Sequence, residues 1–336
     1  MKRWLFTALS FAAVLFVSIY AVRSGAPDGL SLAIPWQAHA LALLAFSIEV
    51  AARSLKLTWS AKAVRANLPF TTSVRVSLGG DFGASITPAR AGAEPARYLI
   101  LAEAGVSVPD AMVVMYTELF FEMISLVFVV GAMVLLFDSS PAARVTMGGI
   151  VGLYSTVILT IGTLGLILSR RTLGEAPPPL AVRLHLTGGR WKFVRRWVDR
   201  VRGTVEAFKN MRYRWGAASL AASIVHVGVR FTILPAIVYS MTTADVPLAP
   251  LVVWPFGFIY GAGVMPAPAG GGAVEYAFHR ALGTAIPSDA FAASLLWWRF
   301  YTFYLYIGLG ALVAGNTVLR ALREAEQEVE EELEHP

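Results

Sequence analysis

The chain has 336 residues, 56% of them apolar and only 15% charged, with no cysteine and a formal net charge of +6. Soluble chains carry about a quarter charged residues, so this composition, with a mean hydropathy of +0.61, excludes an ordinary globular enzyme and indicates a polytopic membrane protein. The missing cysteines exclude disulfides, thiolate metal sites and cysteine nucleophiles. The basic balance does not point to nucleic acid, because Lys and Arg cluster between the hydrophobic spans.

A spanning helix needs about 20 mostly apolar residues. Six windows qualify: Trp4–Val22, Leu30–Ala52, Ala111–Phe137, Val145–Ser169, Trp215–Met241 and Ala290–Leu319. Lys2 and Arg3 precede the first. A signal peptide cleaved near Ala38-His39-Ala40 is the competing reading, but the apolar run exceeds the usual core of roughly 7–15 residues. Two further apolar stretches, 76–101 and 248–282, are interrupted by Gly and Pro.

The segment Arg53–Arg75 holds five Lys/Arg and no acid, and Arg170–Arg214 holds twelve Lys/Arg against three acids. Both read as cytoplasmic loops, with the N- and C-termini inside. This orientation requires each broken stretch to enter and leave on one face, the first from the cytoplasm and the second from outside, as an inverted repeat demands. A plain eight-span arrangement is the alternative. Within the basic loop 170–214, Trp191, Val194, Trp197, Val201, Val205 and Phe208 recur every three or four residues among arginines, which predicts an interfacial helix. The predicted organisation is one all-α membrane domain over 1–322, with halves at about 1–140 and 141–322. An acidic tail follows over 323–336, carrying seven Glu after Arg323.

The two broken segments carry the chemistry. In the first, Gly79-Gly80-Asp81-Phe82-Gly83 leads through Ile86-Thr87-Pro88-Ala89-Arg90 to Glu94 and Arg97. Guanidinium groups grip phosphate in a bidentate fork, and a half-helix starting after Pro88, with N–H groups freed at the glycines, would add donors. In the second, Gly270-Gly271-Gly272 precedes Glu275 and His279, which share a helical face. Ionised residues inside spans are costly and mark pairing or function. Here they are Glu118 and Glu122, then His226 and Arg230, and Arg299. The simplest pairing sets Arg230 against Glu118 or Glu122. Glu49 reads as interfacial, and His39 as a packed or interfacial histidine rather than a ligand. No metal cluster, nucleotide loop or nucleophile–base motif is legible, so neither a cofactor nor an enzymatic activity is expected.

The stretch Ile86-Thr87-Pro88-Ala89-Arg90-Ala91-Gly92-Ala93-Glu94-Pro95-Ala96-Arg97 resembles the P-G-R-x-G-E-x-x-R motif of the lysylphosphatidylglycerol synthase transmembrane-region family, the flippase-like UPF0104 proteins. The segment from Pro266 to Glu275 is similar to that family's P-x-P-G-G-x-G-x-x-E motif. Ala89 and Ala269 stand where the family has Gly, and Ala93 separates Gly92 from Glu94. The resemblance implies an inner-membrane protein that moves a lipid between leaflets, without the soluble aminoacyl-transferase domain of some relatives. The expected ligand is an anionic or glycosylated lipid headgroup, contacted by Arg90, Glu94, Arg97, Glu118, Glu122, Arg230, Gly271, Glu275 and His279. A non-transporting accessory protein partnered with a lipid-biosynthesis enzyme and a proton-coupled small-solute carrier are the alternatives.

Overall fold

A computed structural model describes residues 16–24, 32–87, 90–137, 140–171, 173–183, 187–262, 270–317 and 320. The described residues are helical, joined by short turns. Most of the span predicted at Trp4–Val22, Pro88 and Ala89, the Pro266–Ala269 part of the second motif, and the acidic tail lie outside them.

Helix α1 covers 16–24, and α2 runs Trp36–Ala63. The first hairpin follows, α3 at Phe70–Ser85 and α4 at Ala93–Glu103. Helix α5 spans Val108–Leu136, with the Ser107 hydroxyl accepting from the Asp110 N–H at 3.3 Å as its cap. Helix α6 covers Pro141–Ser169, capped in the same way by Ser140. The short α7 (Pro179–Arg183) precedes α8 at Gly188–Lys209.

The second half repeats the order of the first. Helices α9 (Tyr213–Arg230) and α10 (Ile233–Met241) form one broken span. Pro235 causes the break: it lacks the N–H that would bond the Phe231 carbonyl four residues back, and its ring crowds that carbonyl. The second hairpin is α11 (Leu248–Gly261) and α12 (Ala273–Leu282). Helix α13 begins at Ser288–Arg299, passes through a π-helical turn at Phe300–Tyr304, and continues helical to 317. Each half thus reads long helix, broken hairpin, long helix.

Three of these stretches, Val108–Leu136, Pro141–Ser169 and Tyr213–Met241, are long and apolar enough to cross a membrane. The hairpin helices have 16, 11, 14 and 10 residues, too short for a span each. Helix α2 has spanning length, 28 residues, but carries charge inside the protein. Arg53 and Lys56 are buried on it. The expected cytoplasmic loop from Arg53 is therefore corrected. The helix continues to Ala63, because carboxylates from other helices meet both cations.

Helices α2 and α9 form the most extensive helix–helix contact and join the two halves. One apolar cluster packs α2 with α10 to α13, through Phe258, Phe278, Phe291 and Trp298. A second packs α2 with α4 and α5 around Leu57 and Ile100, and a third packs α5 with α6, α9 and α11. The predicted basic helix is α8, with Trp191, Val198 and Val201 buried and Trp197 exposed. Its Arg202 donates to the carbonyls of Ser169 (3.1 Å) and Arg171 (2.5 Å), satisfying the open end of α6.

Candidate functional site: an ionised cavity at the first hairpin

Close packing of small residues shapes the first hairpin. A Cβ on Gly83 would lie 2.5 Å from the Gly92 carbonyl oxygen, and one on Gly80 would lie 2.7 Å from Cγ of Arg97. These glycines sit inside α3, so they bring α4 close rather than freeing backbone donors. The half-helix also starts later than expected, at Ala93. Thr87 locks the turn: its hydroxyl donates to the Gly83 carbonyl at 2.8 Å and accepts from the Gly92 N–H at 2.7 Å. Arg90 holds φ at +58°, a left-handed conformation that costs a non-glycine residue about 1–2 kcal/mol.

The hairpin borders a cavity of about 630 Å³. Its charged wall comes from Arg53 on α2, Asp81 on α3, Arg90, Glu94 and Arg97 at the turn and α4, Glu118 and Glu122 on α5, and His226 and Arg230 on α9. The opposite wall is largely apolar: Val145, Ile150, Leu153 and Val157 on α6, with Ile259 from the tip of α11. Tyr154 and Tyr260 add hydroxyl groups to this side.

The charges form two groups. In the first, Arg53 Nη2 lies 2.6 Å from Asp81 Oδ2, and Arg90 Nη2 lies 3.5 Å from Asp81 Oδ1. Arg53 and Arg230 each place their guanidinium carbon 5.2 Å from the ring centroid of Tyr306. The Tyr306 hydroxyl donates to Glu49 Oε2 at 2.6 Å, and His226 Nδ1 lies 2.9 Å from Glu49 Oε1. Arg230 donates to the Thr302 carbonyl in the π turn at 3.1 Å. Among the described residues no carboxylate pairs with it. Its place in the last turn of α9, where carbonyl dipoles favour a cation, helps to hold it.

In the second group, Lys56 Nζ sits between Glu118 Oε1 at 2.7 Å and Glu122 Oε2 at 2.6 Å. Arg97 bridges Glu94, at 3.0 Å, and Glu118. Glu94 lies in the first turn of α4, where N–H dipoles favour a carboxylate. The expected pairing of Arg230 with Glu118 or Glu122 is thus corrected: Lys56 is their cation. Glu49, read as interfacial, is fully buried.

The structure brings six of the nine expected residues to this cavity: Arg90, Glu94, Arg97, Glu118, Glu122 and Arg230. It does not bring Gly271, Glu275 or His279 there, since none of these lines it. Glu275 Oε1 instead accepts from Arg299 Nε at 2.8 Å, both side chains buried, while Arg299 lies over the Phe303 ring at 4.5 Å. The His279 ring meets Phe291 edge-on, and Gly271 lies in the turn before α12. Arg53, Lys56, Asp81 and the two tyrosines went unassigned in the sequence. The available signal was spacing: Glu49, Arg53 and Lys56 fall at i, i+4 and i+7, one face of a helix. Among the described residues no group of three His, Asp or Glu side chains is placed to hold a metal ion.

A paired ionic network of this kind, inside apolar helices, can hold a polar headgroup. No curated protein matches the chain. The family model for the lysylphosphatidylglycerol synthase TM region matches residues 4–310, which takes in both halves and both hairpins. With its helical membrane fold and its charged broken hairpin, the chain belongs to that family, a group of membrane proteins linked to lipid and cell-envelope biosynthesis or transport.

Proposed function

We propose that the protein is a lipid flippase or lipid transporter that carries a phosphate-bearing headgroup between leaflets through the cavity at the first hairpin. The observation that carries this reading is the cavity's two-sided character. One wall is ionised, and the other is an apolar face of α6 that continues to the molecular surface, where Val145 is 75% and Leu153 57% exposed. An amphiphile matches both walls at once: the headgroup meets the arginines while the acyl chains stay in the bilayer along α6. A small solute would have no use for the apolar wall, and a purely structural network would not need it open. Within this reading Arg90 and Arg230, which have the weaker carboxylate pairing, meet phosphate. Arg97, already engaged by Glu94 and Glu118, holds the chamber's shape.

Lys62, Arg65 and Arg75, which stay outside the buried network, and the basic segment 170–214 support an orientation with the N- and C-termini on the cytoplasmic side. The first hairpin then dips in from the cytoplasm and the second from outside. Rocking of one half against the other about α2 and α9 would expose the chamber alternately to each leaflet. The test is reconstitution into vesicles carrying fluorescent phospholipids, with an outer-leaflet quencher. Wild-type protein is expected to speed loss of the protected inner pool at least about tenfold over Arg90→Gln protein, the size expected from losing a charge-assisted contact. Equal rates for wild type, variant and empty vesicles would refute the reading.

A further inference from the structure

The charges that line the cavity balance. Four guanidiniums (Arg53, Arg90, Arg97, Arg230) face four carboxylates (Asp81, Glu94, Glu118, Glu122), and the two buried charges behind them, Lys56 and Glu49, also cancel. The balance is global, not local. Around Tyr306 and Asp81, Arg53 and Arg90 meet Asp81, Arg230 lies over the Tyr306 ring, and the deeper Glu49 lies 3.7 Å from Arg53, so three arginines stand against two carboxylates. Around α5, the three carboxylates of Glu94, Glu118 and Glu122 share Arg97 and Lys56. One end therefore has a surplus cation and the other a surplus carboxylate. Tyr154 stands at the carboxylate end, within electrostatic reach of Glu122 and Glu94, and Tyr260 stands between the ends, within reach of Glu122 as well as of Arg230 and Arg90.

We propose that this cavity selects a net-neutral zwitterionic headgroup, with its phosphodiester at the Arg90–Arg230 end and a primary ammonium at the Glu94–Glu122 end. The inference rests on the reading of the cavity as a headgroup chamber and names its substrate class. A net-anionic headgroup would satisfy the arginine surplus and leave the carboxylate surplus unmatched, in a site walled by hydrocarbon where an unpaired charge is costly. A zwitterion matches both ends and leaves the total at zero. A sugar headgroup is neutral too, but it offers nothing to either surplus. A primary ammonium brings three N–H donors to carboxylate and phenol acceptors, which a quaternary ammonium lacks.

The test is native mass spectrometry of delipidated, detergent-solubilised full-length protein titrated with phosphatidylethanolamine, phosphatidylcholine or phosphatidylglycerol of matched chains. Soluble phosphoethanolamine serves as competitor. Phosphatidylethanolamine is expected to bind at least about tenfold more tightly than either of the others. Glu94→Gln, at a side chain 46% exposed and so tolerant of change, is expected to erase that preference by weakening phosphatidylethanolamine. Arg90→Gln is expected to weaken all three lipids alike. Competition by soluble phosphoethanolamine at the lipid's own concentration would support the ammonium–phosphate chemistry while assigning it to a free ligand. Phosphatidylglycerol or phosphatidylcholine binding as tightly as phosphatidylethanolamine, or a preference unmoved by Glu94→Gln, would overturn the proposal. Because binding is read here and movement is read in vesicles, loss of selectivity and loss of transport are separable. Absence of binding by every lipid would bring down the chamber reading and this inference together.

Discussion

The two hairpins share a sequence recipe, Gly and Pro at a break followed by a carboxylate and a cation, yet they end in opposite environments. In the first, Asp81, Arg90, Glu94 and Arg97 all face the cavity. In the second, Glu275 is sealed against Arg299 beside the aromatic packing of Phe258, Phe278, Phe291 and Trp298, and among its described residues Ile259, Tyr260 and Gly261 reach the cavity. The neighbours make the difference. The first hairpin packs on α2 and α5, which bring Arg53, Lys56, Glu118 and Glu122. The second packs on α6 and α10, and its aromatic rings meet those at the start of α13, all of which bring mostly apolar side chains. The same kind of break thus borders a charged cavity in one half and joins a packed apolar cluster in the other.

That contrast is open to mutation. The largest effect is expected at Lys56→Met, which strands Glu118 and Glu122 without their shared cation. Loss of one member of a buried ion pair costs about 3–5 kcal/mol, read as a lowered midpoint of unfolding in detergent. Adding Glu122→Gln should return part of that loss, and an unchanged midpoint for the single variant would show that the network contributes nothing to stability. Glu275→Leu should cost nearly as much, about 3 kcal/mol, by leaving Arg299 unpaired. As a scaffold change, it should leave lipid movement per folded molecule close to wild type. If it abolished movement while the fold remained intact, the second hairpin would join the site. A smaller loss, about 1–3 kcal/mol from overpacking, is expected for Gly83→Ala, whose new methyl would meet the Gly92 carbonyl and Ala96 Cβ. Gly131→Ala on α5, with nothing within 4 Å of the added methyl, should be neutral or stabilising by up to about 1 kcal/mol. Equal losses in these two thermal scans would deny that close approach shapes the first hairpin.

Much of this architecture is legible in the sequence. The apolar windows locate α5, α6, α9–α10 and α13 to within a few residues, and the Gly/Pro breaks locate both hairpins. Helix α2 is the main miss. A hydropathy window stops at the first arginine, but Arg53 and Lys56 are buried because Asp81, Glu118 and Glu122 reach them from elements 25 or more residues away in the chain, and no local pattern records such partners. The same blindness hid which hairpin faces the cavity. The motif carboxylates Glu94 and Glu275 look equivalent along the chain, and Glu275 is buried against Arg299, which arrives from α13. The break after Arg230, in contrast, was written locally by Pro235.

The central claim is that the charged turn of the first hairpin faces a wet chamber and that α12 of the second does not. The chain has no cysteine, so single-cysteine variants test it directly. Ala93→Cys, in the cavity lining, and Val274→Cys, buried in the apolar cluster of the second hairpin, would be exposed to a membrane-impermeant maleimide in folded, reconstituted protein. Rapid labelling at position 93, slowed by added phospholipid, with position 274 silent until denaturation, is the expected result. Equal labelling at the two positions, or a silent position 93, would contradict it.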